Sequence, residues 1–228
     1  MTMPFYVAPE QIMKDRADYA RKGIARGRSL AAVAFDGGIV MAAENPGARL
    51  KKISEIYDRI AFAGVGRYNE FDALRIAGIR HADVQGYQFS RDDVEARSLA
   101  NAYAKMLGNT FTHEMKPMEV EILVAEVGAD PDGDQLFKVI FDGQLSQDER
   151  FSVLGGDTET IGSRLEAALD LDAPPSDLAT SLRAAVGALA GDDRTLTADD
   201  LEVAVLERGE DRRHFRRIED DDLAALLG

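Results

Sequence analysis

The chain has 228 residues, 45% of them hydrophobic and 30% charged, with a formal net charge of −14; that composition excludes wholesale disorder and gives enough length for one large core. It contains no cysteine, which excludes disulfides, thiolate catalysis, cysteine zinc sites and iron–sulfur clusters together. No apolar run approaches the roughly 20 residues of a membrane helix, MTMPFYVAPEQ has no basic-then-apolar signal pattern, and the acidic balance argues against nucleic acid as the main partner, so a cytoplasmic protein is expected.

Residues 1–8 read as a flexible leader, and 9–228 as a single domain. Pro9 sits where a first helical residue belongs, and Glu10 suits the positive start of a helix over about 10–26. Met13, Ala17, Ala20 and Ile24 are spaced 4, 3 and 4, one narrow stripe whose alanines let another backbone approach closely. Gly27 is a plausible stop. Strands are expected at 29–35 and 39–43 around the turn Asp36-Gly37-Gly38, and at 52–56 and 59–64. Apolar residues fill both alternations in several of them, which implies burial on both faces.

Two helices follow, one from about Tyr68 to Val84 and one from near Arg91, capped by Ser90, to about Thr112. The second carries Leu99, Tyr103, Met106 and Thr110 on one stripe. Strands resume at 119–127, 135–141 and 150–154, joined by the turn residues 130–134 and 142–143. A second helix pair is expected at about 158–170 and 176–190, then a strand pair at 202–207 and 213–217 and a short helix at 219–227. Hairpin-linked strands with paired helices read as α+β, mostly antiparallel. Two sheets face to face with helices outside would cover every apolar face.

The candidate chemistry is sparse. Asp130, Asp132 and Asp134 alternate like the start of a calcium loop, but Pro131 and Gly133 interrupt them, so a hairpin turn is the reading. Gly64-Val65-Gly66 lacks the third glycine and the lysine of a phosphate loop. His81, His113 and His214 are too scattered for a metal motif, and no cofactor is expected. Thr2 would be an N-terminal nucleophile only if it began a rigid strand, and it begins a leader instead. Lys51-Lys52, taken alone, is a surface pair. The first 28 residues carry a net +3 and residues 157–228 a net −10, an asymmetry that can favour contact between copies of the chain.

Longer stretches are more specific. Ala8-Pro9-Glu10-Gln11 with Asp18 to Gly27, Phe35 to Val40 with Ala43 to Pro46, and Lys52 to Ile60 running into Ala63-Gly64 resemble the α subunit of the 20S proteasome in its actinobacterial form. Asn69 to Asp72, Lys116 to Glu121 and Gly155-Gly156 extend the likeness over about residues 1–210. The resemblance implies a four-layer αββα sandwich, the fold of N-terminal nucleophile hydrolases. It implies a seven-membered ring stacked on β subunits, which alone carry the catalytic N-terminal threonine. By that resemblance the threonine position falls near Arg28, which offers neither hydroxyl nor free amine, so the chain itself would be no enzyme.

The resemblance also assigns roles. Lys52 would pair with the C-terminal carboxylate of a docked activator or ATPase ring. Thr2, Met3, Pro4, Phe5, Tyr6, Val7 and Ala8 would form the gate over an axial pore, positioned by a turn that includes Pro9 and Tyr19. Met13, Ala17, Ala20 and Ile24 would meet the ring neighbour. Substrates would be proteins tagged with the prokaryotic ubiquitin-like modifier. Two rival readings keep the fold: an amidohydrolase acting alone after processing to Ser29, and an adaptor that forms no ring.

Overall fold

The computed structural model describes residues 8–47, 50–170, 175 and 177–228, the side chain of Asp220 excepted. Thr2, Met3, Pro4, Phe5, Tyr6 and Val7 of the expected gate lie outside the described residues; Ala8 is extended and exposed.

Helix α1, Pro9–Ile24, opens on Pro9, whose missing N–H is not needed in the first turn. Glu10 in the first turn and Arg21 and Lys22 in the last suit the helix dipole. Strands β1, Leu30–Phe35, and β2, Gly38–Glu44, form a hairpin in which Val33 faces Val40, and every residue of both is buried. Strands β3, Ile53–Tyr57, and β4, Ile60–Gly66, form the second hairpin.

Helices α2, Tyr68–Gln88, and α3, Ala96–His113, follow. The expected start of α3 near Arg91 is corrected: Arg91–Asp93 is a single 3-10 turn, with the Ser90 hydroxyl accepting from the Asp92 N–H. Val94 and Glu95 then run extended, Val94 is buried, and the true first helical N–H, that of Ala96, is held by the Glu126 carboxylate at 2.7 Å. The apolar stripe is also corrected. Met106 is exposed, and Ala96 and Ala100 join Leu99, Tyr103 and Leu107 inside.

The second half adds β5, Val120–Glu126, β6, Gln135–Val139, β7, Leu145–Asp148, and β8, Phe151–Leu154. Helices α4, Thr158–Ala168, and α5, Leu178–Ala190, are each capped by an aspartate, Asp157 and Asp177. Strands β9, Leu201–Glu207, and β10, Phe215–Ile218, and helix α6, Asp220–Leu227, end the chain. Strand β7 was not expected: Leu-Ser-Gln-Asp is an edge strand with two exposed residues, so it carries no apolar alternation.

The strands form two antiparallel five-stranded sheets, ordered β10-β9-β2-β1-β8 and β3-β4-β5-β6-β7. Three apolar layers hold them. Ala32, Met41, Ala63, Leu123, Ala125 and Ala204 pack between the sheets. Ala31, Val33, Leu182 and Leu189 join the first sheet to α4, α5 and α6. Phe62, Phe71, Leu99, Tyr103 and Val124 join the second sheet to α2 and α3. Consecutive strand residues point to opposite faces, so Ala32 serves one layer and Ala31 and Val33 another. The observed order is the expected four-layer αββα sandwich.

Helix α1 does not lie in either helical layer. Ala20 and Ile24 are buried in the layer between the sheets, with Ala17 packed against it. This corrects the expected neighbour contact: Ala20 and Ile24 belong to the chain's own core, and of that stripe Met13 is the exposed member.

Candidate functional site

Lys52 stands in the approach to β3, and a buried carboxylate from the other sheet holds it there. Glu202 of β9 accepts from the backbone N–H groups of Lys52, at 2.8 Å, and Ile53, at 3.1 Å. The same carboxylate takes the Arg217 guanidinium at 2.8 Å and the Asn45 amide at 2.7 Å. Charge-assisted bonds from a group this buried are among the stronger polar contacts, so β3 is tied to β9 and β10 at this end of the sandwich.

The Lys52 ammonium donates to the Arg28 carbonyl at 2.8 Å and the Glu44 carbonyl at 3.0 Å. Burial pushes its pKa down to about 8, with Arg28 adding to the effect and Glu202 and Glu44 opposing it. The buried Glu44 carboxylate is shared by two half-exposed guanidinium groups, Arg28 and Arg194, the latter at 3.0 Å. Solvent on the arginine side screens these pairs, while the Glu44 carboxylate itself is buried. Their importance is positional: Arg28 and Arg194 meet at the Glu44 carboxylate, and Lys52 holds the backbone carbonyls of Arg28 and Glu44. Residue 28 sits in mid-chain between Gly27 and Ser29, so it has neither a free amine nor a hydroxyl. The Ser29 hydroxyl donates to the Gly155 carbonyl at 3.2 Å.

A second cluster fixes the leader helix. The Lys116 ammonium lies 2.6 Å from the Glu70 carboxylate and 2.9 Å from that of Glu119, and it sits over the Tyr19 ring of α1, 5.8 Å from its centroid. Burial works against ionisation of Glu119, but Lys116, Arg67 and Tyr19 outweigh it and hold its pKa below the usual carboxylate value. Gly23 lets α1 approach this cluster, since a Cβ there would lie 2.0 Å from a Glu119 oxygen. Arg16 donates to the carbonyls of Thr110 and Glu114 at the end of α3. Pro9 and Tyr19 are both on α1 and ten residues apart, about 15 Å along the axis. The expected turn containing both is therefore not formed within one chain.

The remaining candidates resolve as structure. Asp130 caps the 3-10 turn at Pro131–Gly133, while Asp134 is buried against Arg208 at 2.9 Å, where burial raises its pKa. Among the described residues, no group of three or more His, Asp or Glu is placed to hold a metal ion, and no helix is long and apolar enough to cross a membrane. Sequence reasoning missed Glu44, Glu202, Arg194 and Arg217. Glu202 had a signal: it is the acid within Leu-Glu-Val-Ala-Val-Leu, a run otherwise fully apolar.

A profile described as proteasome subunit matches residues 24–206. A protein of Acidimicrobium ferrooxidans called proteasome subunit alpha is 58% identical over 228 residues, all of this chain and 97% of that one. The chain belongs to the proteasome α-subunit family. Relatives of the same name from Xylanimonas cellulosilytica, 55% identical over 96% of this chain and 93% of theirs, and Thermobifida fusca, 52% identical over all of this chain and 91% of theirs, agree. The two face-to-face sheets flanked by helices are thus a proteasome-family sandwich, and Arg28, Glu44 and Lys52 form a polar site at the head of β1, the end of β2 and the start of β3.

Proposed function

We propose that the chain is a catalytically silent ring subunit of a cytoplasmic 20S proteasome, which scaffolds β-subunit assembly, gates entry with residues 2–8 and docks an activator at Lys52. The observation that carries this reading is the Lys52 ammonium, held by the Arg28 and Glu44 carbonyls where Arg28 supplies no nucleophile. Two carbonyls use two of its three hydrogens, and the third suits the terminal carboxylate of a partner tail. Arg28 and Arg194 reinforce the positive field there.

The partners are copies of the chain in a seven-membered ring, a β subunit, an ATPase ring and, through that ring, proteins carrying the ubiquitin-like tag. Pro9 of one copy and Tyr19 of the next would then form the gate-positioning contact that one copy alone does not make. Exposed Ile12, Met13 and Tyr19 on α1 offer a face to a ring neighbour, and exposed Val84, Tyr87 and Phe89 on and after α2 offer one to a stacked β subunit.

The test is co-expression with the cognate β subunit, followed by native mass and fluorogenic-peptide hydrolysis. A large stacked particle is expected whose hydrolysis rises when residues 2–8 are deleted. Stimulation by the ATPase should vanish in Lys52→Ala. A monomer that hydrolyses peptide by itself overturns the reading.

A further inference from the structure

The chain has seven lysines, and Lys52 differs from the other six. Lys116 is paired with two carboxylates, Lys51 lies 4.0 Å from Glu219, and Lys138 donates to a single carbonyl, that of Val153. Lys14, Lys22 and Lys105 are exposed on helices. The Lys52 nitrogen meets two backbone carbonyls, and among the described residues no carboxylate lies within ion-pair distance of it. The oxygens of Glu44 are taken by Arg28 and Arg194, and those of Glu202 by Arg217, Asn45 and two backbone N–H groups.

This geometry also accommodates the neutral amine. An NH₂ group has two hydrogens, and two carbonyls are present to accept them. Its lone pair then points in the remaining direction, away from both carbonyls. The lowered pKa, about 8, acts in the same sense, because a lysine held partly neutral is a nucleophile. Arg28 and Arg194 are half-exposed and meet at the carboxylate of Glu44, the residue whose carbonyl Lys52 holds, and their remaining N–H donors are suited to hold the phosphate of an anionic reagent.

We propose that Lys52 is a site of acylation by acyl phosphates, and that the neutral amide formed there switches off activator docking; this second clause rests on the docking role proposed above. The amine lone pair attacks the acyl carbonyl carbon and the N–C bond forms. The C–O bond to phosphate breaks, phosphate leaves with the electron pair, and the amine's proton passes to water. No oxidant or reductant is needed. The product keeps one N–H for a carbonyl and loses the charge that a tail carboxylate would pair with.

The experiment treats the full chain with limiting acetyl phosphate and reads each lysine by site-resolved mass spectrometry. At pH 7.5 Lys52 should be acetylated at least about tenfold faster than Lys14 and Lys22, as expected for an amine held partly neutral. The Lys52 rate should level off above pH 8. Arg194→Gln should slow Lys52 acetylation by acetyl phosphate several-fold and leave acetylation by an uncharged ester unchanged. Equal rates at Lys52, Lys14 and Lys22 overturn the proposal, and an Arg194→Gln chain with an unchanged acetyl phosphate rate overturns the arginine's part in it.

The docking clause is read separately, with a labelled peptide from the C-terminus of the cognate ATPase, added to the assembled particle before and after acetylation. Binding that is lost on Lys52 acetylation supports the switch. Selective acetylation with binding retained overturns the docking role and leaves the acylation site standing. Binding by the unmodified particle without selective acetylation overturns the acylation site alone.

Discussion

Lys52 titrates where few lysines do. Its pKa falls from 10.5 to about 8 on folding, so between those values the unfolded chain binds more protons than the folded one. Stability should therefore rise as pH increases from about 8 to 10.5. Denaturant midpoints of the wild type and Lys52→Met at pH 7 and pH 10 check this: the wild-type gain should shrink in the variant. The docking proposed for Lys52 should run the other way, because a tail carboxylate favours the ammonium. Activator binding should weaken above pH 8 and take up protons at pH 8–9, measurable by calorimetry in buffers of different ionisation heat. Glu202 is a purely structural counterpart. Glu202→Leu leaves Arg217 and two backbone N–H groups without their acceptor, and should destabilise the fold by about 3 kcal/mol in thermal or chemical denaturation.

At the scale of elements, α1 is held by the Arg16 bonds to the end of α3 and by close approach at Gly23. Gly23→Ala would put a Cβ into the Glu119 carboxylate, and overpacking of this kind costs about 1–3 kcal/mol. Hydrogen exchange should show α1 loosened while the sheets stay protected. Acidification should act at the same place. The Glu119 pKa is depressed, so its contribution is complete above the unfolded carboxylate value of 4.5 and is lost as pH falls below it; the exchange protection of α1, taken relative to the free-peptide rate at each pH, should be lower at pH 3.5 than at pH 6.

The elements that could be read from sequence were those with a local cause. Pro9 starts α1, Asp36-Gly37-Gly38 turns the first hairpin, and apolar runs mark β1, β2, β5 and β9. Those missed had a distant cause. The start of α3 depends on Glu126, thirty residues away in sequence, and β7 exists because β6 offers it an edge. The inward stripe of α1 was read correctly as a packing surface, but a single helical period does not say what it packs against. In the same way Lys52 was singled out by resemblance, while Glu44, Arg194, Glu202 and Arg217, which converge on it from β2, β9, β10 and the segment after α5, have no sequence spacing that unites them.

For the whole molecule, stability concentrates between the sheets. Leu123 is fully buried there beside several alanines. Small neighbours cannot swing in to fill a void, so Leu123→Ala should cost about 2–5 kcal/mol, read from urea unfolding of the isolated chain. The two sheets are joined at one end by Glu202 and beneath that end by the Lys52 side chain. The carbonyl that Lys52 grips, that of Arg28, lies four residues beyond Ile24, where α1 ends. The ammonium proposed to receive an arriving tail thus also holds the backbone four residues beyond the end of α1. Whatever draws that ammonium outward would also slacken the segment on which α1 is moored.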